Sequence, residues 1–275
     1  MEPESLGTFL RTRRGRVTPD LVEVRATISA RRVPGLRREE LAQLAGVSVG
    51  YYTRLEQDQA GAASPQVLNA IARVLRLGAA EQTHLHNLAR RTHPPRLTRP
   101  APERLDDRVR ALLESLRETI PAVVLGRRGD VLAWNRSGHA LVAAHVGFHE
   151  RPSIPRLFFL DTTTRDLYRN WDELARIHVA YLRLTSGRHP HDGRLAELIG
   201  ELSMHSAEFA SLWATGDVAD CTVGRMDLRH PALGAVDVNY QVWVQPESPD
   251  LRLEVYTPND ARSRDALRLL TVSGS

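Results

Sequence analysis

The apolar positions of the first 92 residues recur every three or four residues, which is typical of amphipathic α-helices. Ser64 precedes Pro65, so a capping hydroxyl is followed by a proline at the first helical position, and this pair predicts a helix start. The pattern predicts an all-α domain. Its repeating apolar positions are Leu6, Phe9 and Leu10; Leu41, Leu44 and Ala45; Leu68, Ile71 and Leu75; and Leu85, Leu88 and Ala89.

A proline-rich segment follows at residues 93–102, where four of the ten residues are proline. Such a segment cannot sustain a helix or a central strand and is expected to run extended. We therefore predict a first domain at residues 1–92, a linker at 93–102 and a second domain at 103–275.

The second domain adds strands to the helices. Short apolar runs at 122–125 and 131–134 flank a glycine-bearing turn and predict a β-hairpin. Apolar and polar residues alternate from 236 to 245, as in a strand with unlike faces, and residues 222–229 and 251–256 supply two more strands. Helical spacing fills the region between the second and third strands. This order predicts an α+β domain, in which a five-stranded antiparallel sheet carries its helices on one side.

Composition places the chain among globular proteins, since 42% of its residues are hydrophobic and 25% are charged. A length of 275 residues suits one large domain or two ordinary ones. No apolar run approaches the ~18 residues that cross a bilayer, and the acidic N-terminus lacks the features of a secretory signal. The single cysteine, Cys221, agrees with a reducing compartment. We expect a cytoplasmic protein without a membrane partner.

The charge is distributed unevenly between the two predicted domains. Residues 1–104 hold 17 arginines against 10 acidic residues, a net charge of +7, whereas residues 105–275 have a net charge of −3. A basic domain beside a slightly acidic one indicates that a polyanion binds to the first domain only.

The segment from Arg38 to Gln57 has the features of a helix-turn-helix. Ala42 is small where two helices cross, and Gly46 lies where the turn needs a residue that tolerates positive φ. Val47, Tyr52 and Leu55 supply the buried side. The segment resembles an Xre-type helix-turn-helix, with a second helix near 38–45 and a recognition helix near 48–57.

The resemblance implies that the start and outward face of the recognition helix contact double-stranded DNA. Arg54 is the strongest candidate for a base contact, and Arg38 is expected to contact phosphate. Tyr51 suits either a phosphate contact or packing, and Glu56 is expected to form an internal ion pair that orders the helix. The candidate DNA-binding residues are Arg37, Arg38, Ser48, Val49, Gly50, Tyr51, Thr53, Arg54 and Gln57.

Four segments together resemble the MmyB-like transcription regulators: residues 33–41, 51–57, 157–161 and 170–172. The resemblance implies an Xre-type DNA-binding domain followed by an MltR-like, PAS-like ligand-binding domain, with a fatty acid as one known type of ligand. The chain departs from the family at two positions, because Gly50 replaces a common polar residue and Asp58 replaces a usual glycine.

Aromatic residues are concentrated in the second domain, which contains all four tryptophans. They favour either a packed core or the wall of a site for a small apolar ligand. A fatty-acid carboxylate would need a donor such as Arg165, Arg169, His178 or Tyr181. The candidate ligand-binding residues are Trp134, Phe158, Tyr168, Trp171, His178, Tyr181, Trp213, Tyr240 and Trp243.

Enzyme motifs are absent from the sequence, and no cofactor is expected. Residues 189–192 contain two histidines and an aspartate, but no matching ligand cluster follows them. Cys221 is more typical of a packed thiol than of a nucleophile. We interpret the chain as a ligand-responsive transcription regulator that acts as a homodimer. The alternatives are an enzyme or a protein-interaction module fused to a helical regulatory domain.

Overall fold

The computed structural model describes residues 4–21, 35–60, 63–90, 103–116 and 120–272. The chain divides into two compact units, one of residues 1–98 with 186–193 and one of residues 99–185 with 194–275. The predicted linker at 93–102 lies outside the described residues.

The first unit contains the helices that the apolar spacing predicted. Ser5, Ser48 and Ser64 each cap a helix by accepting a hydrogen bond from the amide three residues later, so local sequence sets three of the helix starts. Leu44 is the exception to the apolar pattern, since 42% of its surface is exposed. The helices are α1 (Leu6–Arg16), α2 (Arg38–Ala45), α3 (Val49–Glu56), α4 (Pro65–Val74) and α5 (Ala79–Ala89), with a 3₁₀ turn at Pro19–Leu21.

The turn between α2 and α3 has the geometry that its sequence predicted. Gly46 ends α2 with a φ of 68°, in the left-handed region, where glycine carries no steric penalty. Ala42 is fully buried beside it, and Tyr52 and Leu55 bury the inner side of α3. The helix-turn-helix is therefore confirmed as a structure.

Asp58, which follows α3, also has a positive φ, of 57°. Its carboxylate accepts a hydrogen bond from the backbone amide of Gly7 at 2.8 Å and so ties the end of α3 to the start of α1. We expect Asp58→Ala to lower the free energy of unfolding by about 1–2 kcal/mol, because it removes this bond and keeps the strained backbone. Asp58→Asn keeps the acceptor and tolerates this backbone, so thermal denaturation should show a near-neutral effect. Equal losses in the two variants would contradict this role.

The second unit is built on one five-stranded antiparallel sheet with the strand order β2-β1-β5-β4-β3. All five predicted strands are present, and the last strand along the chain, β5, occupies the centre. The strands are β1 (Ala122–Leu125), β2 (Val131–Trp134), β3 (Val223–His230), β4 (Gly234–Gln245) and β5 (Ser248–Pro258).

Most helices of this unit lie between β2 and β3, as predicted, while its first helix precedes the β1–β2 hairpin and its last helix follows β5. The helices of this unit are α6 (Asp107–Ser115), α7 (Arg136–Ala143), α8 (Ile154–Leu160), α9 (Thr162–Leu167), α10 (Trp171–Arg188), α11 (Gly193–His205), α12 (Ala207–Thr215) and α13 (Ala261–Val272).

The two faces of the sheet carry different hydrophobic clusters. Val123 and Leu125 belong to the main core, which includes residues of α7–α10 and α13, whereas Ala122 and Val124 face the opposite way. On that opposite face they pack with residues of α6. The fold class is therefore confirmed, but the prediction that all helices lie on one side is wrong for α6.

Candidate functional site

Helix α3 has one buried face and one exposed face. Tyr52, Leu55 and Glu56 are buried, and each is at most 1% exposed. On the outward side, the backbone is open at Gly50, where an added Cβ would meet no atom within 4 Å. Along this face Tyr51 and Thr53 are half-buried, and the exposed residues are Ser48, Val49, Gly50, Arg54 and Gln57.

Glu56 is a charged residue at the centre of the helical core. Arg14 of α1 donates to it from Nε at 2.7 Å and from Nη2 at 3.2 Å, and Arg38 of α2 donates from Nε at 2.6 Å. Burial alone would raise the pKa of Glu56, but the hydrogen bonds from the two arginines hold it below its usual value. The predicted internal ion pair is confirmed, and it fixes α3 to both α1 and α2.

The cations near α3 differ in what they contact. The guanidinium of Arg38 is half exposed but already pairs with Glu56, and the backbone amide of Arg37 donates to Glu40 at the start of α2. Arg54 is exposed, and within the described residues its guanidinium has neither an ion pair nor a hydrogen bond. Of these three, Arg54 is the cation best placed to meet an external anion.

The main core of the second unit is rich in aromatic rings. Phe158 lies at its centre and stacks on Trp171 at 5.3 Å between ring centroids, and the rings of Tyr168 and His178 lie 5.2 and 4.5 Å away. Six predicted ligand-binding residues belong to this cluster: Trp134, Phe158, Tyr168, Trp171, Tyr181 and Tyr240.

Polar side chains of β5 enter the same core. Arg252, Glu254 and Tyr256 alternate with Leu251, Leu253 and Val255, which face α6. All three are less than 10% exposed. Arg252 donates to one Glu254 oxygen at 2.7 Å, and the Tyr256 hydroxyl donates to the other at 3.1 Å. The core therefore holds a charged, hydrogen-bonded group beside its aromatic wall.

A protein-family comparison matches the ligand-binding domain of MmyB-like transcription regulators to residues 105–270, more than half of the chain. This chain belongs to that family. A second match, to a helix-turn-helix domain, covers residues 5–85. No curated protein matches the chain. The two family matches support a ligand-responsive transcription regulator, with α1–α5 in its helix-turn-helix domain and the sheet in its ligand-binding domain.

In this MmyB-like regulator, two predicted ligand-binding tryptophans lie outside the main core. Trp243 pairs with Leu253 on the face of the sheet that carries α6 and is 61% exposed, so it cannot form a wall beside Phe158. Trp213 packs in a neighbouring cluster of α10–α12, where the Arg183 guanidinium lies 4.2 Å above its ring. The prediction is wrong for Trp243, and Trp213 belongs to a different hydrophobic cluster.

The four predicted carboxylate donors also divide into two groups. Arg165 and Arg169 are exposed, and they pair with Glu208 at 3.1 Å and with Asp227 at 3.8 Å. His178 is instead half-buried against Phe158, and Tyr181 is buried with the centroid of its ring 3.9 Å from the Arg252 guanidinium. Arg165 nevertheless also contacts the aromatic wall, since its guanidinium lies 3.9 Å from the centroid of the Trp171 ring.

Sequence reasoning missed the charged residues of β5. The available signal was the alternation of Leu251, Leu253 and Val255 with Arg252 and Glu254, since a strand that is covered on both faces must bury its charges as well. Recognising that signal requires knowing that β5 is central, which depends on the strand order.

Among the described residues, no group of three or more His, Cys, Asp or Glu side chains is arranged to hold a metal ion. Burial raises the pKa of the Cys221 thiol to about 11, so it is a packed thiol, as predicted. None of the described helices combines the length and apolar character that crossing a membrane requires.

Proposed function

We propose that α3 enters the major groove of operator DNA and that the second domain binds an acyl-chain ligand that controls this binding. The DNA-binding part of the proposal rests on the two sides of α3. The exposed outward side carries Arg54, and the buried side is held in place by Glu56. A helix held in this way presents its side chains at fixed positions, as base readout requires.

Arg54 is the residue that we expect to read a base. An exposed arginine on a recognition helix suits bidentate hydrogen bonding to guanine. Arg54→Ala should therefore weaken operator binding by about 1–3 kcal/mol and relax the preference at one base position. Competition binding with a library of operator variants measures both effects.

Arg73→Ala is the matched control, because Arg73 is an exposed arginine in the last turn of α4. It should leave the base preference unchanged. If Arg54→Ala weakened specific and random DNA equally, Arg54 would contact phosphate and the base-reading proposal would be wrong.

The second domain supports an acyl ligand through its aromatic core around Phe158 and Trp171. We expect medium and long acyl chains, the class that includes fatty acids, to bind in preference to sugars and nucleotides. Ligand titration followed by tryptophan fluorescence tests this, because Trp134 and Trp171 lie in that core. Saturable binding of a nucleotide, with no response to any acyl compound, would reverse the assignment.

We further propose that a homodimer is the DNA-binding species. One recognition helix covers only ~4–5 base pairs, and Val49 and Gly50 offer few hydrogen bonds, so a second copy would supply the missing discrimination. Analytical ultracentrifugation should show a dimer, and footprinting should show two half-sites ~34 Å apart or a multiple of that spacing. A monomer that protects one asymmetric half-site contradicts this proposal.

A further inference from the structure

A buried ion pair lies in the centre of the ligand-binding domain. Arg252 and Glu254 are 6% and 7% exposed, and they project from β5, which has β1 on one side and β4 on the other. Taking two charges out of water is costly, and replacing such a pair with apolar residues is often neutral or stabilising. A charged pair beside an aromatic wall therefore points to a role in recognition.

The carboxylate of this pair has partners on both oxygens. Arg252 Nη2 lies 2.7 Å from one oxygen, and the Tyr256 hydroxyl lies 3.1 Å from the other. The Arg252 guanidinium also lies 3.9 Å from the centroid of the Tyr181 ring. The positive charge of Arg252 is thus already balanced by Glu254, and the pair as a whole is neutral.

Three polar groups around the pair still have hydrogen-bonding capacity within the described part of the chain. The Nε of Arg252 is buried without a hydrogen-bond partner. The His178 imidazole, whose ring lies 4.5 Å from that of Phe158, forms no hydrogen bond with a described residue. The Tyr168 hydroxyl has no such partner either. Buried polar groups are normally satisfied, so the Arg252 Nε points to an absent acceptor, and the half-buried His178 ring and the Tyr168 hydroxyl are available to donate to the same acceptor.

Their protonation states make these groups suited to an uncharged ligand. Burial and the nearby charge of Arg252 lower the pKa of His178 to about 4, so the ring is neutral at physiological pH and has one donor and one acceptor. Burial and the negative charge of Glu254 raise the pKa of Tyr168, so its hydroxyl keeps its proton. Both groups can donate a hydrogen bond to a carbonyl or hydroxyl oxygen.

We propose that Arg252, His178 and Tyr168 anchor the head group of the ligand and that Glu254 selects an uncharged head group over a free carboxylate. The proposal rests on the long-chain ligand proposed above and names its head group as uncharged: an amide or ester of the acyl chain, or the hydroxyl of the corresponding alcohol.

The selection follows from the charges. A ligand carboxylate at Arg252 would lie beside the Glu254 carboxylate, and two buried carboxylates that share one cation cannot both ionise without a large cost. An amide or alcohol adds no charge and can accept from the same donors. Discrimination of this kind, by a like charge placed against the wrong ligand, is a common source of specificity.

Matched ligands of one chain length test the proposal on the wild-type chain. Decanoic acid, decanamide and decanol differ only in the head group, and their affinities are measured by calorimetry at neutral pH. We expect the amide and the alcohol to bind at least about tenfold more tightly than the acid. A tenfold ratio of affinities corresponds to the free energy of a shift of one pKa unit. An acid that binds as tightly as the amide overturns the proposal.

Glu254→Gln tests the residue assignment. The substitution leaves Arg252 without its counter-ion, so a ligand carboxylate becomes a favourable partner and the preference should reverse towards decanoic acid. Decanoic acid should then also raise the melting temperature of this variant more than that of the wild type. Glu201→Gln is the matched control, since Glu201 pairs with Arg156 at 2.7 Å on the surface, and its preference should match the wild type.

The outcomes separate the two proposals. If Glu254→Gln does not fold, the wild-type comparison of acid with amide and alcohol still decides the head-group proposal. If the acid binds equally or better, the head-group proposal fails while the acyl ligand stands. If none of the three compounds binds, and their octyl and dodecyl counterparts also fail to bind, the proposal of an acyl ligand is itself wrong.

Discussion

Replacing Glu56 with alanine is expected to destabilise the helix-turn-helix by about 3–5 kcal/mol, because removing one partner of a buried ion pair leaves the others uncompensated. Arg14 and Arg38 would both lose their counter-ion, and the Arg14 side chain is only 15% exposed. Since the carboxylate joins α3 to α1 and α2, operator binding should be lost together with stability. Native-state hydrogen exchange of the α3 amides in the full chain measures the local free energy of opening.

Glu39→Ala is the control for this prediction, because Glu39 lies in the first turn of α2 and is exposed. It should change the free energy of opening by no more than about 0.5 kcal/mol. A loss at Glu56 that is no larger than the loss at Glu39 would show that the ion pair contributes nothing to stability.

The contribution of Glu56 also has a definite pH dependence. Its folded-state pKa is lowered from a usual value of 4.5, since the hydrogen bonds from Arg14 and Arg38 outweigh the effect of burial. The stabilisation is therefore fully present above the unfolded-state pKa and is lost as the pH falls through the folded-state pKa. The α3 amides of the wild type should lose protection over that acidic range, and those of Glu56→Gln should not show this step.

Phe158→Ala is expected to lower the free energy of unfolding of the ligand-binding domain by about 3–5 kcal/mol, as for other large-to-small core substitutions. Phe158 is 2% exposed, and its ring contacts Tyr168, Trp171 and His178, so the substitution opens a cavity between three side chains. Thermal denaturation followed by near-UV circular dichroism reports the packing of these rings directly. Acyl binding should weaken in parallel.

Leu160→Ala, on the same helix, separates core packing from a general effect on α8. Leu160 is 38% exposed, so its truncation creates no closed cavity and should cost far less. If the two variants had equal melting temperatures, the aromatic cluster would not be the centre of the core. Phe158→Leu keeps most of the volume and should lie between them.

Local chemistry explains why much of the fold was predictable from sequence. Gly46 has the backbone that its turn needs, and Ser64 with Pro65 starts α4, because each depends on its sequence neighbours alone. Tyr52 and Leu55 are buried because helical spacing puts them on one side. The prediction of five strands was confirmed for the same reason, since alternation and turns are local signals.

Of the two misjudged features, the first was visible in the local sequence and the second depends on distant parts of the chain. Trp243 shares a face with Asn239 and Gln241, so the alternation along β4 already separated it from Tyr240, but its aromatic character suggested the core. The burial of Arg252 and Glu254 depends on β5 lying between β1 and β4. That position is set by pairing across more than a hundred residues, which no local pattern encodes.

The separation of buried and exposed residues on α3 has a consequence for changing the operator specificity of the protein. The side chains that hold the helix, Tyr52, Leu55 and Glu56, share no position with the outward side, and Gly50 has open space where a side chain would begin. The residues at the outward positions can therefore be exchanged without disturbing the packing of α3. If the outward residues of another regulator's recognition helix replace those of α3 while Tyr52, Leu55 and Glu56 are kept, the protein should bind a new operator. Its ligand response should remain intact.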